Sequence, residues 1–114
     1  MTVTIWHNPR CSKSRQTLAL LEEAGPALKV RPYLNDPPNR AELEAALKML
    51  GLRPSELIRS GEKIYRELGL SQDSDDNALI SAMLEHPILI ERPVVIGNGK
   101  AAIGRPPEAV LDIL

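Results

Sequence analysis

The chain has 114 residues, of which 43% are hydrophobic and 25% are charged, and its formal net charge is -1. That length suits one compact domain, and the composition is typical of an ordinary globule. A nearly neutral chain has no global field for a polyanion, which argues against nucleic acid and anionic membrane surfaces as partners. No apolar stretch approaches the roughly 20 residues of a membrane-spanning helix, and the N-terminus lacks the layout of a signal peptide, so we expect a cytoplasmic protein.

The first third of the chain predicts a strand, a helix and a second strand. Apolar and β-branched residues alternate in TVTIW, as in a strand, and a helical spacing then runs from Ser12 to Ala24, before Gly25-Pro26. The second strand should be half-buried and, because Pro32 cannot donate to a ladder, should lie at a sheet edge. A strand–helix–strand connection predicts that the two strands are parallel. The apolar positions of the second strand are Leu28, Val30 and Leu34, and they alternate with Lys29, Arg31 and Tyr33 on the exposed face.

The middle of the chain predicts a helical insertion at about residues 39–86. Capping residues, proline and apolar spacing mark several short helices there. Their predicted starts are Asn39, Pro54, Glu62 and Ser74. The last of them carries a buried stripe of Leu79, Ile80 and Met83.

The C-terminal part predicts a β-hairpin and a closing helix. VVI and AAI flank GNGK, which supplies asparagine and glycine where positive backbone angles are needed. RPPEAVLDIL should form a helix with Val110, Leu111 and Leu114 against the sheet. The sequence therefore predicts a single α/β domain over 1–114, a four-stranded mixed sheet with the helical insertion between its β-α-β and β-β-α halves.

The segment HNPRCSKSR bears the candidate chemistry, since it places Cys11 at the start of the first helix. Unpaired amides and the helix dipole stabilise a thiolate there, so the pKa of Cys11 should fall below the free value of about 8.5. The hydroxyls of Ser12 and Ser14 could donate to the sulfur, Ser14 being better placed, and the amides of residues 12–14 could hold an oxyanion. The alternative is a buried, inert thiol. His7 could tune the thiol or shuttle a proton, or it could face outward.

HNPRCSKSR resembles the H-N-P-x-C-x-x-S-R signature of the glutaredoxin-linked arsenate reductase family, and the similarity continues through YLNDPP, ELIR, ERPVVI and GRPPEAVLDIL. The resemblance implies a thioredoxin-like fold with a helical insertion and a cis bond before Pro93. It also implies that three arginines gather an oxyanion over Cys11, where the helix-start amides of Ser12 and Lys13 would add their own donors. These arginines are Arg59, Arg92 and Arg105. Guanidinium forks suit that task because they match oxyanions and stay charged.

The mechanism implied by the resemblance is attack of the Cys11 thiolate on arsenate, followed by reduction with glutathione as co-substrate and glutaredoxin as partner. No bound cofactor and no metal is implied. A chain with one cysteine needs an external thiol to resolve the adduct. Cys11 and Arg15 enclose only three residues, which excludes the C-x5-R loop of phosphatase-type arsenate reductases.

Two other functions stay open at this point. Arg10 and Lys13 depart from the plain arsenate reductase pattern, which is compatible with a related branch that carries out another thiol reaction. One alternative is therefore a glutathione-dependent thiol-disulfide oxidoreductase, for which a C-x-x-S site is adequate. The other is a regulatory module like those of the superfamily that contact RNA polymerase. Such modules typically carry C-x-x-C, where this chain has Ser14 in place of the second cysteine.

Overall fold

The computed structural model describes residues 2–114, which divide into two compact units. Residues 2–36 and 92–114 form one unit, here called the sheet unit, and Pro37–Glu91 form the other, the helical unit. The helical unit covers the part of the chain in which the insertion was expected. The organisation as one thioredoxin-like domain stays a prediction.

The sheet unit holds a four-stranded mixed sheet in the order β2-β1-β3-β4. The helix α1, Ser12–Ala24, connects β1 to β2, which is parallel to it and lies at the edge, while β3 pairs antiparallel with both β1 and β4. The strands are β1 Thr2–Trp6, β2 Ala27–Arg31, β3 Val94–Gly97 and β4 Lys100–Ile103. The predicted fold class, the bounds of α1 and the edge position of β2 are thereby confirmed.

One apolar cluster holds the sheet unit together, and the alternation of β1 explains it. Val3 and Ile5 lie two residues apart, so their side chains share one face of the sheet, where both are fully buried. Leu21 of α1 packs into the same cluster. The other buried members are Val95, Val110 and Ile113. Burying each side chain of this size contributes roughly 1.5–3 kcal/mol.

The predicted burial of the second strand was wrong beyond Leu28. Val30 and Leu34 are 46% and 37% exposed, whereas Tyr33, expected on the polar face, is fully buried. The strand ends at Arg31, and the amides of Asn35 and Asp36 both donate to the carbonyl of Pro32. This turn breaks the two-residue alternation on which the prediction depended.

The C-terminal segment differs from the prediction in its period. Pro107–Ile113 form a 3-10 helix, which has three residues per turn, so Val110 and Ile113 lie on one face and are buried. Leu111 and Leu114 are each 40% exposed instead of packing on the sheet. The hairpin before it is as predicted, because Asn98 and Gly99 both adopt the positive φ angles that a tight two-residue turn requires.

The helical unit consists of short helices, several of them with clear capping signals. Asn39 accepts a hydrogen bond from the amide of Glu42, whose side chain accepts one from the Asn39 amide, a capping box. The last α-helix begins one residue later than expected, with Asp75 as its cap, because the Ser74 hydroxyl accepts from the Ser71 amide. The predicted stripe of Leu79, Ile80 and Met83 is buried.

The helices are α2 Arg40–Leu50, α3 Pro54–Leu57, α4 Lys63–Glu67, α5 Asp76–Glu85 and the 3-10 helix Pro87–Leu89. Within residues 2–114, no helix has both the length and the apolar character needed to cross a bilayer.

Candidate active site

Cys11 occupies the N-cap of α1, in the turn that follows β1. Its amide donates to the carbonyl of Asn8 at 3.0 Å, which closes the turn, and its carbonyl accepts from the amide of Arg15 at 3.0 Å, the first bond of the helix. The backbone of Cys11 is extended, as N-cap residues are. The sulfur therefore sits at the end of α1 where amides lack helical partners and the helix dipole is positive.

The surroundings of the sulfur favour the thiolate. Partial burial raises the pKa of the Cys11 thiol, but the amide of Ser14, the guanidinium of Arg92 and the amide of Lys13 all donate to the sulfur, and the charge of Arg92 adds to their effect. The donors outweigh the burial, so the pKa of Cys11 lies below that of an ordinary cysteine. Cys11 is half-buried rather than sealed in apolar packing. These are the features of a reactive thiol and not of an inert one.

Two of the three predicted arginines meet at this sulfur. Arg92, two residues before the start of β3, donates to Cys11, and Nη2 of Arg105 lies 3.8 Å from the sulfur. Arg105 also donates from Nε to the carbonyl of Arg92 at 2.9 Å, which ties the two residues together. Both are followed by cis peptide bonds, Arg92-Pro93 and Arg105-Pro106. Burial lowers the pKa of Arg92, but Cys11 and Tyr33 raise it above its ordinary value, so the guanidinium stays charged.

Ser14 contacts the site differently from the prediction. Its side chain is fully buried, and the hydroxyl accepts from the amide of Asn8 at 3.0 Å and lies 2.7 Å from Nδ1 of His7. The hydroxyl is thus bonded within the turn, and the amide of Ser14 is the group that reaches the sulfur. The expected hydroxyl donation from Ser14 to Cys11 is therefore replaced by amide donation, and a catalytic role for Ser14 stays a prediction.

His7 faces inward, with only 9% of its surface exposed. Burial, and secondarily the charge of Arg15, hold the pKa of His7 below its usual value, so the ring is neutral at neutral pH. The side-chain hydrogen bond of its ring is with Ser14 and not with the thiol. A catalytic role for His7 stays a prediction.

Gly104 and Thr17 support the arginines, and sequence reasoning missed both. The amide of Gly104 donates to the carbonyl of Pro93 at 3.0 Å, and a side chain at Gly104 would collide with Thr17 Oγ1 and come within 2.7 Å of Pro93 Cγ. Thr17 in turn donates to the carbonyl of Lys13 at 2.7 Å. Only glycine allows the chain before Arg105 to approach this closely. The signal was the glycine of GRP, which directly precedes a predicted site residue.

Arg59, the third predicted arginine, belongs to the helical unit. Its Nη1 lies 2.6 Å from Oε1 of Glu91, and its Nε lies 3.2 Å from Oε1 of Glu62. These two carboxylates hold the guanidinium in place. Its role as an oxyanion ligand stays a prediction, as does that of the exposed residue Ser12.

Comparison with known proteins places this arrangement in a family. The sequence profile of the ArsC family matches residues 6–113. The protein YfgD of Escherichia coli K12, whose function is uncharacterised, is 53% identical, and an arsenate reductase from Neisseria meningitidis serogroup A is 48% identical. Each match covers 98% of this chain, with 96% and 97% of the relatives. The solved structure of an arsenate reductase from Vibrio cholerae is 52% identical with a TM-score of 0.95, over 100% of this chain and 98% of that chain. The thioredoxin-like fold is thereby confirmed, and the chain belongs to the ArsC family.

Proposed function

We propose that the chain is an arsenate reductase in which the thiolate of Cys11 is the nucleophile. One observation carries the proposal: the sulfur receives hydrogen bonds from the amides of Lys13 and Ser14 and from Arg92, with Arg105 at 3.8 Å. Donors that stabilise a negative sulfur also attract an oxyanion to it. Relatives named arsenate reductase match this chain at close to half of its residues, which supports arsenate as that oxyanion.

The first chemical step forms a bond between sulfur and arsenic. The thiolate attacks the arsenic of dihydrogen arsenate, and one oxygen leaves as water after taking up a proton. The product is a Cys11–arsenate adduct with one negative charge, and arsenic is still pentavalent. Arg92 and Arg105 stabilise the charge on the arsenate oxygens during this step because guanidinium groups keep their charge and bind oxyanions through paired donors.

The second stage reduces arsenic with an external thiol. A thiolate attacks the sulfur of Cys11, the sulfur–arsenic electron pair remains on arsenic, and arsenite is released as Cys11 forms a mixed disulfide. A second thiol then frees Cys11, so two thiols become one disulfide while arsenic gains two electrons. The chain has one cysteine, so both thiols come from outside it. We propose glutathione as the co-substrate, glutaredoxin as the protein that resolves the mixed disulfide, and the thiol-rich cytoplasm as the location.

We assign supporting roles to three further residues, Arg59, Lys13 and His7. The family resemblance supports Arg59 as an oxyanion ligand, and its ion pairs with Glu62 and Glu91 would keep the guanidinium fixed before arsenate binds. The amide of Lys13 acts on the sulfur whatever its side chain does. Neutral His7 acts through Ser14, whose hydroxyl it contacts.

The experiment that tests the proposed function is arsenate-dependent NADPH oxidation in the presence of glutathione, glutaredoxin and glutathione reductase. The wild-type chain should consume NADPH only when arsenate is added, and Cys11→Ser should abolish that consumption. Wild-type reduction of a small mixed disulfide without any response to arsenate would instead establish the thiol-disulfide oxidoreductase. Lack of both activities would refute the enzymatic proposal.

A further inference from the structure

The sheet unit contains a groove beside the residue that precedes Cys11. Its volume is about 350 Å³, and its walls are the turn of residues 7–10 and, after β2, the residues Pro32, Leu34 and Asn35. Pro32 and Leu34 are exposed, and they give this wall an apolar surface. None of the described residues that line the groove is acidic. The groove does not include the sulfur, so it is separate from the oxyanion donors described above.

His7 provides this groove with a polar group that has no hydrogen-bond partner in the described part of the chain. The ring is nine-tenths buried, and its Nδ1 lies 2.7 Å from the hydroxyl of Ser14. That hydroxyl already accepts from the amide of Asn8, so its own proton is directed to Nδ1, which assigns the ring proton to Nε2. Among residues 2–114, nothing accepts a hydrogen bond from Nε2 of His7. Since His7 lines the groove, this N–H can donate to a molecule that occupies it.

Arg10 adds a positive charge at the same groove. Its amide donates to Oδ1 of Asn8 at 3.0 Å, which fixes the backbone of the turn, while its side chain is exposed. No carboxylate of the described chain forms an ion pair with its guanidinium. The carboxylate of Asp36, next to the groove in sequence, lies 3.6 Å from Arg31 instead. The groove therefore offers a cation and an N–H donor without a compensating acid, and this complements a carboxylate.

The position of Arg10 also limits which carboxylate can bind productively. Arg10 is directly followed by Cys11, and an extended peptide spans roughly 3.3–3.6 Å per residue. A peptide of a few residues that anchors a carboxylate at Arg10 can therefore bring its own sulfur to Cys11. A ligand with both a carboxylate and a thiol fits these constraints better than a simple anion does.

We propose that this groove binds the carboxylate-bearing part of a small peptide thiol that reacts with Cys11, with the guanidinium of Arg10 and Nε2–H of His7 as its donors. This inference rests on the proposed function only in that an external thiol exchanges with Cys11. It assigns Arg10, one of the departures from the family pattern, to recognition of the reductant and not of the oxyanion.

Thiol exchange in the absence of arsenate tests the groove independently of the proposed function. The Cys11 thiolate attacks one sulfur of a disulfide, the disulfide bond breaks, a new sulfur–sulfur bond forms at Cys11, and the other half leaves as a thiolate. The rate constant is measured by intact-protein mass spectrometry with glutathione disulfide, which carries carboxylates, and with 2-hydroxyethyl disulfide, which is neutral. The rate constant with glutathione disulfide is divided by the rate constant with 2-hydroxyethyl disulfide. This ratio cancels changes in the reactivity of Cys11 itself.

Arg10→Ala should lower this ratio by about fivefold, the upper range for an exposed ion pair, and added salt should reduce the wild-type ratio in the same direction. His7→Asn, which can still contact Ser14 but lacks the distal N–H, should lower it as well. Lys29→Ala removes an exposed charge of β2 that does not line the groove, so it serves as the matched control and should leave the ratio unchanged.

Three results would overturn the groove assignment. The first is an unchanged ratio in Arg10→Ala, and the second is an equal loss in Lys29→Ala. The third is a loss in Arg10→Ala that is confined to exchange with a glutaredoxin mixed disulfide, because that result would assign the groove to a protein partner. If the ratio falls as expected while arsenate is not turned over, the groove stands and the proposed function fails. If arsenate is turned over while the ratio is unchanged in Arg10→Ala, the proposed function stands and the groove assignment fails.

Discussion

Substitution of Ser14 by alanine separates the two ways in which this residue could serve Cys11. The hydroxyl bonds to the amide of Asn8 and to His7, whereas the backbone amide of Ser14 donates to the sulfur. Ser14→Ala removes the first two bonds and keeps the third. We therefore expect the variant to lose stability while the pKa of Cys11 stays below its ordinary value.

The magnitude follows from the groups that lose their partner. Asn8 is 4% exposed and His7 is 9% exposed, so water reaches them poorly, and an unsatisfied buried group costs about 1–3 kcal/mol. Taking the low end for both, because His7 borders an open groove, gives a loss of about 2 kcal/mol in the free energy of unfolding. Ser12→Ala alters an exposed hydroxyl and should change stability by less than about 0.5 kcal/mol.

Urea unfolding measures the stability, and the pH dependence of thiolate absorbance measures the pKa of Cys11. The reasoning is refuted if Ser14→Ala unfolds at the wild-type urea concentration while the pKa of Cys11 rises to the free value of about 8.5. That pair of results would mean that the hydroxyl donates to the sulfur, as the sequence first suggested.

Three further predictions concern the arginine, the glycine and the histidine of the site. Arg92→Met should raise the pKa of Cys11 and slow its alkylation at neutral pH by roughly three- to tenfold. Arg92→Lys should recover part of the rate because lysine keeps the charge but lacks the paired donors of the guanidinium. Equal alkylation rates in the wild type and both variants would contradict this. Gly104→Ala should destabilise the chain by about 1–3 kcal/mol in urea unfolding, because the new methyl group collides with Thr17 and Pro93, and a neutral effect would show that this contact yields freely. The pKa of His7 is lowered on folding, so the unfolded chain binds the proton first as pH falls through about 6.5, and the free energy of unfolding should decrease there. His7→Asn should reduce this decrease when the free energy of unfolding is measured against pH. An unaltered decrease in the variant would exclude His7 as its source.

Local signals were sufficient to predict most of the fold. The Gly25-Pro26 stop fixed the end of α1, and Asn98-Gly99 fixed the hairpin, because both act through the backbone angles of a few neighbouring residues. Predictions failed where the spacing of buried positions changes and the residue types give no sign of that change. Val30 and Tyr33 exchanged their expected burial because of the turn at Pro32, and Leu111 was exposed by the three-residue period of the last helix.

The candidate site was predicted in its residue types but not in the direction of its hydrogen bonds. The position of Cys11 at a helix start is a local property, and Arg92 and Arg105 followed from the family resemblance. The hydroxyl of Ser14 was assigned to the sulfur because spacing along a helix does not show that His7 folds back onto it. Gly104 was missed because its restriction comes from Thr17, which is far away in the sequence.

The pKa of Cys11, measured with and without arsenate, tests the central claim most directly. Alkylation rates of the full chain are recorded across pH, and Cys11 is the only cysteine that can react. The account predicts a pKa below the ordinary value and alkylation that arsenate slows in a saturable manner, because both depend on the donors around the sulfur. A pKa near about 8.5 together with alkylation that is indifferent to arsenate would contradict it.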